Sequence, residues 1–228
     1  MATTASPPSA YPPLNVRVHT PRLSLLGATD ELLERLVPTV RKGVATGPPW
    51  PFDDPMSLYE DSPEREWRWL RAVWSGRGRV SADSWRLYFV VVVDGEPVGM
   101  QDLMGVDFAT FGTTTTFSWL DPDARGNGLG KEMRRAVLHL AFEGMGALEA
   151  SSDAFVDNHA SNGVSEALGY VPNGVSWDTR RGERAQIKCW RLTREEWTGR
   201  RRDDIELVGV ADCLPVLGIA PPASGQPA

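Results

Sequence analysis

The 228-residue chain is 41% hydrophobic and carries nine tryptophans, enough apolar surface for one sizeable core and, by length, about one domain. Its net charge of −6 argues against a generally basic nucleic-acid surface, and no run approaches the roughly 18 apolar residues needed to span a bilayer. The two cysteines, Cys189 and Cys213, have neither the density of a disulfide scaffold nor the paired spacing of a metal site.

The opening "MATTASPPSAYPP" lacks the basic and apolar regions of a secretion signal, so the protein is expected in the cytoplasm. Proline, alanine and serine dominate both ends, a composition that buries too little apolar surface to offset ordering entropy. Residues 1–13 and 214–228 are therefore expected to be unstructured, with a single domain over 14–213. "NVRVHTPRLSLL" reads as one extended segment, and Asp30 to Lys42 as a helix burying Leu32, Leu33, Leu36, Val37 and Val40 and ending at Gly43. Residues 43–61 are rich in proline and aromatic residues and read as a substrate-side loop. "SPEREWRWLRAVW" predicts a second helix, with Ser62 as N-cap, Pro63 at the first helical position, Trp67, Leu70, Arg71 and Trp74 on one face, and Gly76 as its end.

"RLYFVVVV", the turn Asp94-Gly95 and "PVGMQDLM" predict an antiparallel hairpin, and "TTTTFSWL" a third strand. Met133, Ala136, Val137, Leu140 and Ala141 then recur at helical spacing. "ALEASSDAFV" is read as a strand, "NHASNGVSEAL" as a short helix ended by Gly169, and the segment from Tyr170 to Leu192 as a closing hairpin. Thr193 and Glu196 have the spacing of a capping box. This order, with one strand-helix-strand unit in the middle, gives an α+β class.

Between the third strand and its helix lies "RGNGLGK", residues 125–131. A phosphate loop of the Gly-x4-Gly-Lys-Ser/Thr type fails twice, because Arg125 takes the place of the first glycine and Glu132 follows Lys131. Gly126, Gly128 and Gly130 also miss the Gly-x-Gly-x-x-Gly spacing of a dinucleotide fingerprint. Arg125-x-x-Gly128-x-Gly130 remains. It is either a pyrophosphate cradle of inward amides at a helix N-terminus or a turn that merely lets strand enter helix.

With "HTPRLSL", "DGEPVGMQDL", "WLDPDARGNGLGKEM" and "DNHASNGVSEALGY" in this order, residues 15 to 200 resemble the GNAT superfamily of N-acetyltransferases, in its RimJ/RimL-like branch. The resemblance implies a mixed, mostly antiparallel central sheet of six to seven strands flanked by helices. It also implies acetyl-CoA as co-substrate and direct transfer of acetyl to a primary amine, on a small molecule or a protein N-terminus. The pyrophosphate then falls to Arg125, Gly126, Asn127, Gly128, Leu129, Gly130 and Lys131, and the pantetheine to the strand at Ser118, Trp119 and Leu120. Asn158 would bond the pantetheine arm as well as cap its helix.

The family's acid is commonly a tyrosine four residues before the Gly-Phe or Gly-Tyr pair; here that position is Ser165, and Ser161 is the nearer candidate to the sulfur. The base candidates are the strand carboxylates Asp102 and Asp153. Trp50, Phe52 and Asp53 are the acceptor-side candidates. His19, His139 and His159 stand at no metal-ligand spacing, so no metal is expected. No nucleic-acid or membrane partner is expected either, and a homodimer is left open. The missing tyrosine motivates one alternative: an acyl-CoA-binding sensor or structural module of the same fold that has lost catalysis.

Overall fold

The structure, a computed structural model, describes residues 9–43, 45, 47–52 and 58–220. In chain order its elements are β1 (Arg17–His19), β2 (Ser24–Gly27), α1 (Asp30–Lys42), α2 (Glu64–Arg77), β3 (Ser84–Val93) and β4 (Glu96–Val106). There follow α3 (Phe108–Phe111), β5 (Thr113–Leu120), α4 (Leu129–His139), β6 (Glu149–Phe155), α5 (His159–Ala167), β7 (Val171–Arg180) and β8 (Glu183–Thr193). The described chain closes with α6 (Arg194–Thr198), β9 (Glu206–Val208) and α7 (Val210–Cys213).

The strands form one sheet in the order β7-β8-β6-β5-β4-β3-β2-β1-β9, antiparallel at every pairing except β5 with β6. Nine strands exceed the six to seven expected, for two local reasons. Thr20 and Leu23 close a turn that folds "NVRVHTPRLSLL" into the β1–β2 hairpin, and the three-residue β9 adds to its free edge. So short a strand leaves almost no alternation to read.

Local chemistry explains most boundaries. Asp94 and Gly95 both take positive φ, as the tight β3–β4 turn requires. Thr29 caps α1 by accepting from the Leu32 amide, and Gly43, at φ 87°, ends it. The Thr193–Glu196 capping box forms as expected. The expectation for α2 is corrected. Ser62 makes no cap and donates instead to the Glu66 carboxylate at 2.7 Å, while the helix runs past Gly76 to Arg77. Its buried face is Glu66, Trp69 and Val73, whereas Trp67 is 61% and Trp74 43% exposed. With tryptophans at 67, 69 and 74, the helical period alone fits either face; the mate for Trp69 is Trp119, which projects from β5 into the same layer.

The core forms two layers. One, under α4, joins Leu87, Phe89, Leu103, Met133, Val137 and Trp190; the other, under α1 and α2, joins Leu33, Leu36, Trp69, Val90, Met100 and Trp119. Both ends reach further into the fold than their composition suggests. Pro13 is buried and the Tyr11 hydroxyl donates to the Arg77 carbonyl at 3.1 Å. Leu214, Leu217 and Ile219 enter the α4 layer, so the tail expected from 214 packs as far as the description extends, to 220. Three buried apolar residues in six outweigh the flanking prolines.

Candidate active site in the split between two parallel strands

β5 and β6 share only three register pairs, from Thr113 with Glu149 to Thr115 with Ser151. Beyond them the strands part, because β5 continues to Leu120 in register with β4 while β6 stays in register with β8. Thr116 to Leu120 thus has no strand partner on its β6 side. At roughly 3.3 Å per residue that run is about 13 Å long. A cavity of about 510 Å³ fills the split. Its lining comes from both faces of the sheet: Met133, Arg134 and Val164 from the α4–α5 side, Phe52 and Phe117 from the other. A ligand arm can pair with the open edge of β5 as an added strand would.

At one end stands the glycine loop. Gly126 and Gly128 take φ of 83° and 79°, a left-handed conformation that glycine adopts without cost. Among the described residues, the amides of Gly126, Asn127, Gly128, Leu129 and Gly130 donate to no protein acceptor, the first closing bonds being those of Lys131 and Glu132 to the Gly128 carbonyl. Five amides at the N-terminus of an 11-residue helix make an anion cradle. Arg125 does not simply project into it: its guanidinium folds back onto the Leu120 carbonyl, at 3.1 Å from Nε and 2.7 Å from Nη2. Lys131 is exposed on the rim and lines the cavity with Arg125.

At the other end, Phe52 lies edge-on to Phe117 and stacks on Tyr59, forming an aromatic lip over β5. Asn158 joins lip to helix. Its Oδ1 accepts from the Ser161 amide at 3.1 Å, and its Nδ2 donates to the Pro51 carbonyl at 2.9 Å. The capping role therefore holds, and both polar atoms of the side chain are engaged within the protein. Asn158→Asp should keep the cap and the melting temperature but lose the donor to Pro51. Asn158→Ala should lose about 1 kcal/mol of stability as well, measurable by urea unfolding.

Of the four proposed catalytic residues the structure brings two to the cavity. Ser161 and Asp153 line it; Ser165 and Asp102 do not. Ser165 is 1% exposed, with its hydroxyl unpartnered, inside the packing of α5. Asp102 lies fully buried beneath the sheet in register with Phe117, bonded by Arg86 Nε at 2.9 Å and Nη2 at 2.5 Å. Burial pushes its pKa up to about 6 against the pull of Arg86, but it is not among the residues that line the cavity.

Among the described residues, Asp153 is the one carboxylate on the lining. Although its residue surface is exposed, protein crowding around the carboxyl raises its pKa, Asp178 adds to this and Arg134 opposes it. Trp50 lies outside that cavity, in a separate depression with Pro48, Pro49, Arg180, Arg181 and Glu183. Asp53 lies outside the described residues.

Sequence reasoning missed two cations. Arg22 reaches from the β1–β2 turn to donate to the Asn127 carbonyl at 2.6 Å, which braces the glycine loop and sets a positive charge beside it. Arg134 is 5% exposed, lines the cavity and donates to the Ser152 hydroxyl at 2.9 Å. Among the described residues no group of three or more His, Cys, Asp or Glu has metal-binding geometry, and no helix is long and apolar enough to cross a membrane.

Comparisons with known proteins converge on one family. RimL, the ribosomal L7/L12 α-N-protein acetyltransferase, solved in complex with coenzyme A, superposes with a TM-score of 0.61 at 16% identity over 76% of this chain and 95% of its own. A GCN5-related N-acetyltransferase from Brucella melitensis gives 0.63 at 14% identity over 80% of each chain. The microcin C7 self-immunity acetyltransferase MccE, solved with acetyl-CoA and AMP, gives 0.57 at 13% identity, covering 76% of this chain and 93% of its own. At such identities these likenesses concern the fold. The family model of the acetyltransferase (GNAT) domain, however, matches residues 23–171, from β2 through the split strands to the start of β7, and the chain is therefore an acyltransferase of the GNAT family.

Proposed function

We propose that the protein binds an acyl-CoA thioester, acetyl-CoA in the simplest case, and transfers the acyl group to a primary amine by direct attack. The observation that carries this is the split itself. An amide cradle at one end and an open strand edge along one side suit the pyrophosphate and pantetheine of CoA, with Gly126, Gly128, Gly130, Lys131, Ser118 and Leu120 as contacts. The thioester then lies where the cavity opens to the Phe52–Phe117 lip, the side from which an amine can approach.

An alkyl ammonium has a pKa of about 10.4, so attack requires removal of a proton. Asp153 accepts it, directly or through one water. The amine nitrogen bonds to the carbonyl carbon, the C–S bond breaks, and the thiolate collects a proton. With serine at position 165 and no tyrosine among the cavity-lining residues, Ser161 and solvent supply that last proton. A β5 amide polarises the thioester carbonyl. A cytoplasmic location and a homodimeric state belong to the same reading; Val175 and Trp177 are exposed on the edge strand β7, a surface on which such a dimer could form.

Release of free thiol from acetyl-CoA, followed across a panel of small amines and N-terminal peptides, tests the reading. Amine-dependent release supports it. Tight acetyl-CoA binding without turnover on any amine would replace it with the sensor, which the absence of a tyrosine acid at position 165 favours.

A further inference from the structure

Among the described residues, buried charge is paired, with one exception. Glu66 meets Arg41 at 2.8 Å, Asp102 meets Arg86 at 2.5 Å, Asp121 meets Lys42 at 3.1 Å and Glu132 meets Arg202 at 2.9 Å. Arg134, 5% exposed, makes no ion pair among the described residues. Its guanidinium donates to the neutral Ser152 hydroxyl, and its Nε is buried without a partner among the described residues. An uncompensated buried guanidinium opposes folding unless something else requires it.

Two more buried groups with unmet capacity stand beside it. The Tyr170 and Thr116 hydroxyls make no hydrogen bond of good geometry, although Arg134 and Thr116 lie close enough to Tyr170 to pull down, by charge and hydrogen bonding, a phenol pKa that burial raises; Arg134 and Thr116 line the cavity, and Tyr170 lies buried behind them. Thr116 and Ser152 each follow the last register pair, Thr115 with Ser151, so the group sits at the closed end of the split. Asp153 does not fill the role. It is the next residue after Ser152 on an alternating strand, so its side chain leaves by the opposite face.

We propose that Arg134, with Tyr170 and Thr116, is an anion subsite at the closed end of the cavity, so that the preferred donor is a CoA thioester whose acyl chain ends in a carboxylate. This rests on the CoA reading given above and adds the acyl class to it. A carboxylate there accepts from the guanidinium and the two hydroxyls, whereas an acetyl methyl leaves all three unmet; a site with buried polar groups rejects the analogue that lacks their partner. The transfer chemistry is unchanged. The amine bonds to the thioester carbon, sulfur leaves, and the distal carboxylate takes no part.

Calorimetric dissociation constants for CoA, acetyl-CoA, malonyl-CoA and succinyl-CoA on the full chain test this. The parent should bind one of the two carboxylated thioesters at least about tenfold more tightly than acetyl-CoA. Arg134→Met should abolish that preference while CoA itself binds within about twofold of the parent; Arg134→Lys should keep part of it. Equal affinity of the parent for acetyl-CoA and both carboxylated thioesters overturns the subsite but leaves the CoA site standing. Failure of CoA itself to bind overturns both. The comparison on the parent decides the matter even if Arg134→Met does not fold.

Discussion

Gly128→Glu is expected to weaken CoA binding at least hundredfold, a loss of about 2.7 kcal/mol. Gly128 holds φ 79°, where any side chain costs roughly 1–2 kcal/mol of backbone strain. That strain bears on folding stability, whereas the loss of binding is electrostatic and steric. The new carboxylate would stand among the five unbonded amides, where the pyrophosphate is proposed to lie, and a Cβ at 128 already meets Arg22 Nη1 at 3.2 Å. A glutamate therefore also draws Arg22 away from the Asn127 carbonyl it braces. Gly126→Ala is the control. It has nearly the same φ, 83°, but its methyl meets nothing within 4 Å, so it carries the strain without the charge. Its affinity for CoA should fall by less than about tenfold. If Gly128→Glu binds CoA as the parent does, the pyrophosphate does not occupy this loop.

How far the sequence reports such a site depends on whether the signal is local. The glycine loop, the Asp94-Gly95 turn and the Thr193–Glu196 box are short patterns whose chemistry is complete within a few residues, and each forms where it was expected. The β5–β6 split is not local. It arises because two strands that start together are claimed by different neighbours, β4 and β8, and the spacing within neither strand encodes that. Arg134 shows the same limit. Nothing in "KEMRRAVL" separates Arg134 from Arg135, yet the first is buried against β6 and the second only partly covered. The exposed Trp67 and buried Trp69 reverse the expected face of α2 for a like reason. Asp102 and Asp153 both read as strand carboxylates, and only pairing and face tell them apart: one is sealed with Arg86, the other opens to the cavity.

Asp153→Asn is expected to lower kcat by about 10²- to 10³-fold, within the range of a lost general base, while leaving CoA affinity unchanged. The substitution keeps size and polarity and removes only the ability to accept a proton. The pH dependence gives the sharper test. A base works ionised, and crowding and Asp178 hold the Asp153 carboxyl above its ordinary pKa, so parent activity should fall as pH drops through that raised value. The Asn variant should lose this acidic limb. Stability runs with the opposite sign. Because the folded pKa lies above the unfolded one, the contribution of Asp153 is fully present below the ordinary carboxyl pKa and is lost as pH rises through the folded value. The stability difference between Asp153→Asn and parent should therefore grow in favour of the variant as pH increases across that window, while the activity difference grows in favour of the parent. A variant that retains both kcat and the acidic limb would move the proton to another acceptor. A variant that loses kcat but shows no pH-dependent stability difference would mean that the carboxyl is not held in a raised state, and that its part in catalysis does not depend on one.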